Sequence, residues 1–396
     1  MFKSIYFSTQ NKQDSNNPID IGWLVECMFF YERTTVIANT SILVQLFRYF
    51  GIERIIELIE EGLIQLIYTE SHVGIITNTI NGVQYHDTCQ FTSPQHTYQN
   101  EIRKICIEVK GSPGRGRRAA RRIEDKIEVQ HHENIIFEGA RNSFVDQNYI
   151  SLAAKQVLAS LVPELPELSS TTFSTNKTPK GIEVISNINF DSVNKIYHKR
   201  VSPSHSTITP ALILSHLLDV ESELYFSSNN LSEIAASSLS AKLIEQKISY
   251  VLEKSKNSAE KIENFQGFVF KNSKAIREAV NSNTIDIDEL IVVLKKSMKF
   301  KEWLVDVNPD EDLINSYYSE VTKETVIDKL PCKSVRWGIF TGLGILADTI
   351  FTGGLGTASG IALGALDTFY LDKLIHGWKP NHFIEDDVKK LIKYGT

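Results

Sequence analysis

The segment TTVIANTSILVQLFRYFG, residues 34–51, indicates most directly how the amino-terminal part of the chain folds. Residues 34–38 are rich in β-branched side chains, which favour a strand. Apolar residues then recur at helical spacing, Thr40 or Ser41 is placed to cap the helix, and Gly51 is placed to end it. A strand followed by a tight turn and an amphipathic helix predicts an α/β or α+β arrangement.

The residues that follow this segment carry a further strand signal and a hairpin signal. A second short helix precedes strand-like residues 63–68. Residues 73–80 and 83–91 flank the dipeptide Asn81-Gly82, which readily supplies the two positive φ angles of a type I′ turn. The sequence therefore predicts a β-hairpin in this part of the chain.

The later sequence predicts helices almost throughout. A Ser/Thr-rich stretch at residues 169–178 is typical of a linker, and residues 181–188 favour one more strand. Beyond residue 207, helical spacing of apolar residues recurs at 231–252, 274–280, 287–298 and 313–322.

These patterns predict an α+β protein that is predominantly helical. The predicted parts are a small α/β domain with a β-hairpin (1–168), a linker (169–178), a helical middle domain (179–330), and a glycine-rich helical hairpin with a tail (331–396).

The composition is that of an ordinary globular protein. Hydrophobic residues make up 42% of the 396 residues and charged residues 23%, which excludes an intrinsically disordered chain. The net charge of -6 repels phosphate on average, so contact with nucleic acid or anionic lipid requires a local basic patch. The first 22 residues lack the apolar core of a secretory signal, so we expect a cytoplasmic location.

The cysteines predict neither a disulfide framework nor a zinc site. They are spread through the chain without CxxC spacing, which is typical of reduced thiols. The four positions are Cys27, Cys89, Cys106 and Cys332. We expect no metal and no cofactor.

The most distinctive stretch lies between Trp337 and Leu366, where thirty residues hold eight of the 21 glycines and one formal charge, Asp348. Glycines at four-residue intervals align into a groove on a helix, so that a second helix can approach closely. The glycines with this spacing are Gly338, Gly342, Gly356, Gly360 and Gly364. The pattern predicts a glycine-zipper helical hairpin.

The length of this hairpin argues against a permanent double membrane span. About 20 apolar residues are needed to cross a bilayer, whereas thirty residues give each helix about fifteen. Three arrangements remain open: a hairpin buried against the helical domain, a soluble hairpin that inserts into the inner membrane when triggered, and a constitutive membrane anchor.

The only concentrated positive charge follows a glycine-rich turn in residues 111–122. Arginine forks bind phosphate in bidentate fashion, so RNA, DNA and anionic lipid headgroups are candidate ligands. The arginines are Arg115, Arg117, Arg118, Arg121 and Arg122. The P-loop spacing is absent, and the alternative is that Glu124, Asp125 and Glu128 pair with the arginines on a solvated helix.

The nonapeptide at residues 36–44, VIANTSILV, resembles the first strand and turn of PIN-domain nucleases, in which an aspartate binds a metal. This chain has Asn39 at that position, and an amide supplies no anionic oxygen. An active site would need other acids to compensate, such as Asp20, Glu26 or Asp87.

The histidines show no metal-ligand spacing. His86, Asp87, Cys89 and His96 lie on or near the predicted hairpin, and His131 is followed by His132. We interpret these as ordinary surface histidines.

The carboxyl-terminal residues 306–396 carry one further resemblance. The runs GLGTASGIALGALDTFYLDKL and GWKPNHF are similar to the carboxyl-terminal region of uncharacterised bacterial proteins. The resemblance implies a bacterial cytoplasmic origin and no particular activity.

The sequence leaves three functional hypotheses. The first is a non-enzymatic bacterial effector in stress or phage defence, associating with membrane lipid through the glycine-zipper hairpin. The second is a nucleic-acid-associated protein or degenerate PIN-like nuclease that uses the arginine cluster. The third is a structural protein in which the hairpin packs between subunits of a homo-oligomer. No catalytic residue set is identified.

Overall fold

The computed structural model describes a protein with mixed α and β structure and two β-sheets. The described residues are 3–8, 18–92, 97–165, 168, 170–204, 206–254, 267–271, 280–281, 286–306, 338–340, 364–375 and 382–384. Helices hold more of these residues than strands do. The predicted mixture of α and β structure, with mostly helical content, is therefore confirmed for the described residues.

The larger sheet is almost entirely parallel. Its strands are β1 (Ser4–Phe7), β2 (Arg33–Ala38), β3 (Ile64–Thr69), β6 (Glu128–Gln130), β9 (Glu233–Ala236), β10 (Gly267–Lys271), β11 (Gly338–Phe340) and β12 (His382–Ile384). They lie in the order β11-β10-β12-β9-β1-β2-β3-β6, and only the β10–β11 pair is antiparallel. The chain proceeds from β1 outward to β6 and later adds β9 on the other side of β1. The topological switch point therefore lies between β1 and β9.

Helices cover both faces of this sheet. Successive side chains of a strand point to opposite faces, so each strand contributes to two cores. Ile5 and Phe7 of β1 belong to one core, and Tyr6 belongs to the other. The first core includes α1 (Ile21–Phe30), α2 (Thr40–Phe50), α3 (Ile52–Glu60), α4 (Tyr98–Lys110), α5 (Pro113–Ile123) and α11 (Ile287–Asp306). The second includes α6 (Asn134–Val145), α7 (Gln147–Leu161), α8 (Phe190–Tyr197), α9 (Pro210–Asn229), α10 (Ser238–Lys254) and α12 (Ala365–Ile375).

The smaller sheet contains the predicted hairpin. Its strands are β4 (Ser71–Ile80), β5 (Val83–Thr92), β7 (Phe173–Thr178) and β8 (Gly181–Ser186), in the antiparallel order β4-β5-β8-β7. Asn81 and Gly82 have φ angles of 52° and 79° between β4 and β5. The predicted hairpin with two residues at positive φ is confirmed.

The predicted strand, turn and helix of residues 34–51 are β2 and α2, but the cap is Asn39. Its Oδ1 accepts a hydrogen bond from the Ile42 amide at 3.1 Å, because the extended Asn39 backbone places the side chain over the first turn. Thr40 is already helical, so the predicted cap at Thr40 or Ser41 is wrong. Gly51 ends the helix with a φ of 83°, as predicted.

Two predicted assignments differ from the structure. Residues 173–178 of the predicted linker form β7, which pairs with β8 along its whole length. Residues 233–236 of the predicted helical stretch form β9, which pairs with β1 inside the parallel sheet. Tertiary pairing outweighs local propensity in both places. The amino-terminal and middle parts of the chain therefore share one sheet.

Candidate nucleic-acid interface

The five arginines of the basic segment lie together on the exposed side of α5. The helix begins at Pro113, where the missing N–H costs nothing because the first amides of a helix lack intrahelical partners. Its buried residues are Gly116, Ala119, Ala120 and Ile123, and its exposed residues include Arg115, Arg117, Arg118, Arg121 and Arg122. At about 100° per residue, the two sets lie on opposite sides of the helix. We call the five exposed arginines the arginine face.

The orientation of the arginine face is fixed by a close backbone approach between α5 and α4. A Cβ atom added to Gly116 would lie 2.7 Å from the backbone nitrogen of Ile107 and closer still to its Cα. A Cβ atom added to Gly114, two residues nearer the start of α5, meets nothing within 4 Å. Only a residue without a side chain fits at position 116, so α4 and α5 form a tight helical hairpin.

Most of the arginine face is not neutralised by acids. Arg122 forms an ion pair with Glu53 of α3. Across the part of the chain that the structure describes, Arg115, Arg117, Arg118 and Arg121 have no ion-pair partner.

The acids that follow the arginine segment do not pair with it. Glu128 accepts hydrogen bonds from Gln65 and Gln130 instead. Neither Glu124 nor Asp125 forms an ion pair with an arginine of α5 among the described residues. The exposed positive charge is therefore available to an anionic ligand.

A second polar group, which we call the Lys247 cluster, is buried where four helices meet. The Lys247 Nζ lies 2.9 Å from Glu221 Oε1 and 2.7 Å from Asp367 Oδ1, and it donates to Ser143 Oγ at 2.9 Å. Ser143 donates in turn to Glu221 Oε1 at 2.6 Å, and the Tyr370 hydroxyl donates to Glu221 at 3.1 Å. The three N–H groups of the lysine each have an acceptor, and the cluster joins α6, α9, α10 and α12.

In the Lys247 cluster, the lysine is protonated and is held between two carboxylates. Burial acts to lower the pKa of Lys247, but the two adjacent carboxylates outweigh burial and raise it above the ordinary value. Ser143 would need a neutral lysine as base to act as a nucleophile. Because Lys247 stays charged, it cannot act as that base. We therefore interpret the cluster as structural: its ion pairs and hydrogen bonds join the four helices.

The carboxyl-terminal end of the glycine-rich region, residues 364–366, packs against α6. A Cβ atom added to Gly139 of α6 would lie 2.9 Å from the Cβ of Leu366 and closer still to one of its methyl groups, so α12 and α6 are in close contact. Gly364, just before α12, faces Asn142 of α6, whose Nδ2 would lie 3.0 Å from an added Cβ.

The other glycines of the predicted zipper are only partly described. Gly338 is expected in a helix, but it begins strand β11. This strand forms because residues 338–340 pair with β10. Gly342, Gly356 and Gly360 lie outside the described residues. The zipper as a whole stays a prediction.

Three residues of the PIN-like hypothesis, Asn39, Asp20 and Asp87, have structural partners. Asn39 caps α2, as described above. Asp20 caps α1, accepting from the Trp23 amide at 3.0 Å, and Glu26 is buried within the same helix. Asp87 lies on the smaller sheet and forms an ion pair with Arg141 at 2.8 Å.

His86 and His132 differ from the surface positions that the sequence predicts, whereas His131 is exposed, as predicted. His86 is buried on β5, where its Nδ1 lies 2.9 Å from the Thr77 hydroxyl, and burial lowers its pKa. Asp87 and Cys89 point to the opposite side of the strand, so they do not converge with His86. His132 is half-buried, and burial, with His72 and His131 nearby, lowers its pKa to about 4. His96 lies outside the described residues.

One buried carboxyl group had no signal in the sequence. Glu223 of α9 accepts a hydrogen bond from Ser8, directly after β1 at the switch point, and its Oε2 has no hydrogen-bond partner. Burial raises the pKa of Glu223 to about 8, with Asp219 acting in the same direction and the bond from Ser8 opposing it. Helix α9 has acids at Asp219, Glu221 and Glu223, and nothing in the local sequence separates Glu223 from the other two.

Within the described ranges, no three His, Cys, Asp or Glu residues are arranged to hold a metal ion. None of the helices described here has both the length and the apolar character to cross a membrane.

The fold and the surface define an α/β protein with a mostly parallel sheet and one arginine-covered helix. Comparison of the chain with family models, with curated proteins and with solved structures finds no match.

Proposed function

We propose that the protein binds nucleic acid by contacting the phosphate backbone with the arginine face of α5. One observation carries the proposal: five exposed arginines share one side of a rigidly held helix, and four of them have no acidic partner in the described structure. Guanidinium groups bind phosphate oxygens through paired hydrogen bonds, and the released counterions add to the affinity. The proposal concerns binding and assigns no cleavage chemistry.

Nucleic acid fits this surface better than an anionic membrane does. A helix that binds at a membrane interface lowers an apolar side into the lipid. The apolar side of α5, which includes Ala119, Ala120 and Ile123, is buried in the protein core. The folded helix therefore presents only charge, which matches a phosphate polymer.

The proposal is tested by changing Arg117 and Arg118 to glutamine and measuring the retention of a fluorescent oligonucleotide. We expect at least a tenfold loss of affinity, because two charge-assisted hydrogen-bond sites are removed. The matched control changes Lys195 and Lys199 to glutamine, which alters the net charge equally on the exposed surface around α8. Equal affinities of the two double variants would refute the proposal.

A second candidate function is a defence or stress effector that acts at the inner membrane through the glycine-rich segment. It is supported by the docking of α12, which directly follows Gly364 and is held by Gly139 and the Lys247 cluster. This contact favours an arrangement in which the carboxyl end of the segment rests on the protein core until a trigger releases it.

The effector hypothesis is tested by liposome flotation and dye release in wild type and Gly360→Leu. We expect the bulky residue to reduce both signals, and the exposed Ala365→Leu change to leave them unaltered. Absence of lipid binding in resting and stimulated cells alike would remove this candidate. Subunit mass in solution decides between it and a hairpin packed between subunits.

A further inference from the structure

The arginine face consists of two rows. Arg117 and Arg121, four residues apart, form the first row, and Arg115, Arg118 and Arg122, at spacings of three and four, form the second. At about 100° per residue, the rows lie roughly 110° apart around the helix axis and extend about 10 Å along it. Gly114, whose Cβ position is open, lies between them. The strip between the rows faces away from the buried side of α5.

We propose that α5 lies along the major groove of duplex DNA, with each arginine row contacting the backbone of one strand. This inference rests on the proposed function and names the class of nucleic acid. A helix with its side chains is about 10–12 Å across, and the major groove of B-form DNA is about 12 Å wide. The two rows are then directed to opposite walls of the groove.

The composition of the α4–α5 hairpin argues against a single strand as the ligand. Proteins that bind single strands stack the bases on exposed aromatic side chains. Tyr98 is the only aromatic residue of α4 and α5, and it is buried. Without a stacking surface, the hairpin recognises the regular phosphates of a double helix, independently of base sequence.

An RNA duplex fits this geometry less well than DNA does. The major groove of A-form RNA is deep and narrow, so a helix cannot enter it as it enters B-form DNA. We therefore expect weaker binding to an RNA duplex of the same sequence and length.

The test compares the full-length protein with two row variants, Arg117→Gln/Arg121→Gln and Arg115→Gln/Arg118→Gln. Binding to duplex DNA, single-stranded DNA, duplex RNA and phosphatidylserine vesicles is measured over a range of salt concentrations. With four unpaired arginines, the plot of log affinity against log salt for duplex DNA should have a slope of about −3.6. Each row variant should reduce that slope to about −1.8 and lower the affinity at least tenfold.

Every outcome of this experiment decides a claim. Equal losses in the two row variants on duplex DNA support the groove geometry. Single-stranded DNA or duplex RNA binding as tightly as duplex DNA, or one row variant binding like wild type, overturns the groove geometry but leaves nucleic-acid binding in place. Binding to vesicles alone, or to none of the four ligands, overturns both proposals.

Discussion

At the scale of single residues, Lys247 is the most buried basic residue among the described ion pairs. Its side chain is 3% exposed, and two carboxylates lie within 3 Å of it. Changing Lys247 to Met would leave Glu221 and Asp367 as uncompensated buried charges. We expect a loss of about 3–5 kcal/mol in the free energy of unfolding, measured by urea denaturation.

The control for this prediction is Lys126→Met. Lys126 pairs with Glu60 at 2.7 Å, but the Glu60 side chain is 58% exposed, so its carboxylate stays solvated and the change should cost less than about 1 kcal/mol. Similar costs for the two substitutions would show that the Lys247 cluster does not fix the helices as we describe.

The raised pKa of Glu223 makes the free energy of unfolding depend on pH. Its pKa is about 8 in the folded protein and near 4.5 in the unfolded chain. Below pH 4.5 both states are protonated, and between pH 4.5 and 8 only the unfolded state releases the proton. The contribution of Glu223 to stability is therefore fully present at low pH and is lost as pH rises towards 8.

The substitution Glu223→Gln should consequently stabilise the protein at pH 8 by roughly 4 kcal/mol and change little at pH 4.5. The glutamine carbonyl can still accept the hydrogen bond that Ser8 donates. Chemical denaturation at both pH values measures the difference. A variant that is less stable than wild type at pH 8 would contradict the assigned burial of a protonated carboxyl group.

At the scale of secondary-structure elements, the α4–α5 hairpin sets the position of the arginine face. Gly116→Ala inserts a methyl group against the backbone of Ile107, and we expect a cost of about 1–3 kcal/mol in unfolding free energy. DNA affinity should fall as well, because the helix must move. Gly114→Ala in the same helix meets open space and should change stability by less than about 1 kcal/mol.

Both properties are measured on the same two proteins, by urea denaturation and by oligonucleotide binding. If Gly116→Ala is as stable as Gly114→Ala, the two helices are not in the backbone contact described here.

Local signals explain which elements could be predicted from the sequence. The β4–β5 hairpin depends on Asn81 and Gly82, which lie next to each other, and α2 depends on apolar spacing and the stop at Gly51. Strand β9 has only four residues. It forms because it pairs with β1, which lies more than 200 residues earlier in the sequence. Nothing in its local sequence separates it from the helices on either side.

At the scale of the whole molecule, the candidate interface was predictable but the buried clusters were not. Five arginines within eight residues are visible in the sequence, and Pro113 marks the start of their helix. Ser143 and Lys247, by contrast, are separated by 104 positions and meet only because α6 and α10 pack on the same face of the sheet. Ion pairs of this kind depend on the complete fold.

The charge of the whole molecule makes binding at the arginine face sensitive to salt. A net charge of -6 repels nucleic acid at a distance, while the unpaired arginines of α5 attract phosphate at short range. Affinity should therefore depend on this one surface and should be lost when it is neutralised.

The most direct test of nucleic-acid binding is a titration of labelled duplex DNA with wild type and with a variant in which all five α5 arginines are glutamine. We predict a linear decrease of log affinity with log salt for wild type and no measurable binding for the variant at the lowest salt concentration. Equal affinity of the two proteins, with the variant shown to be folded, would contradict the account.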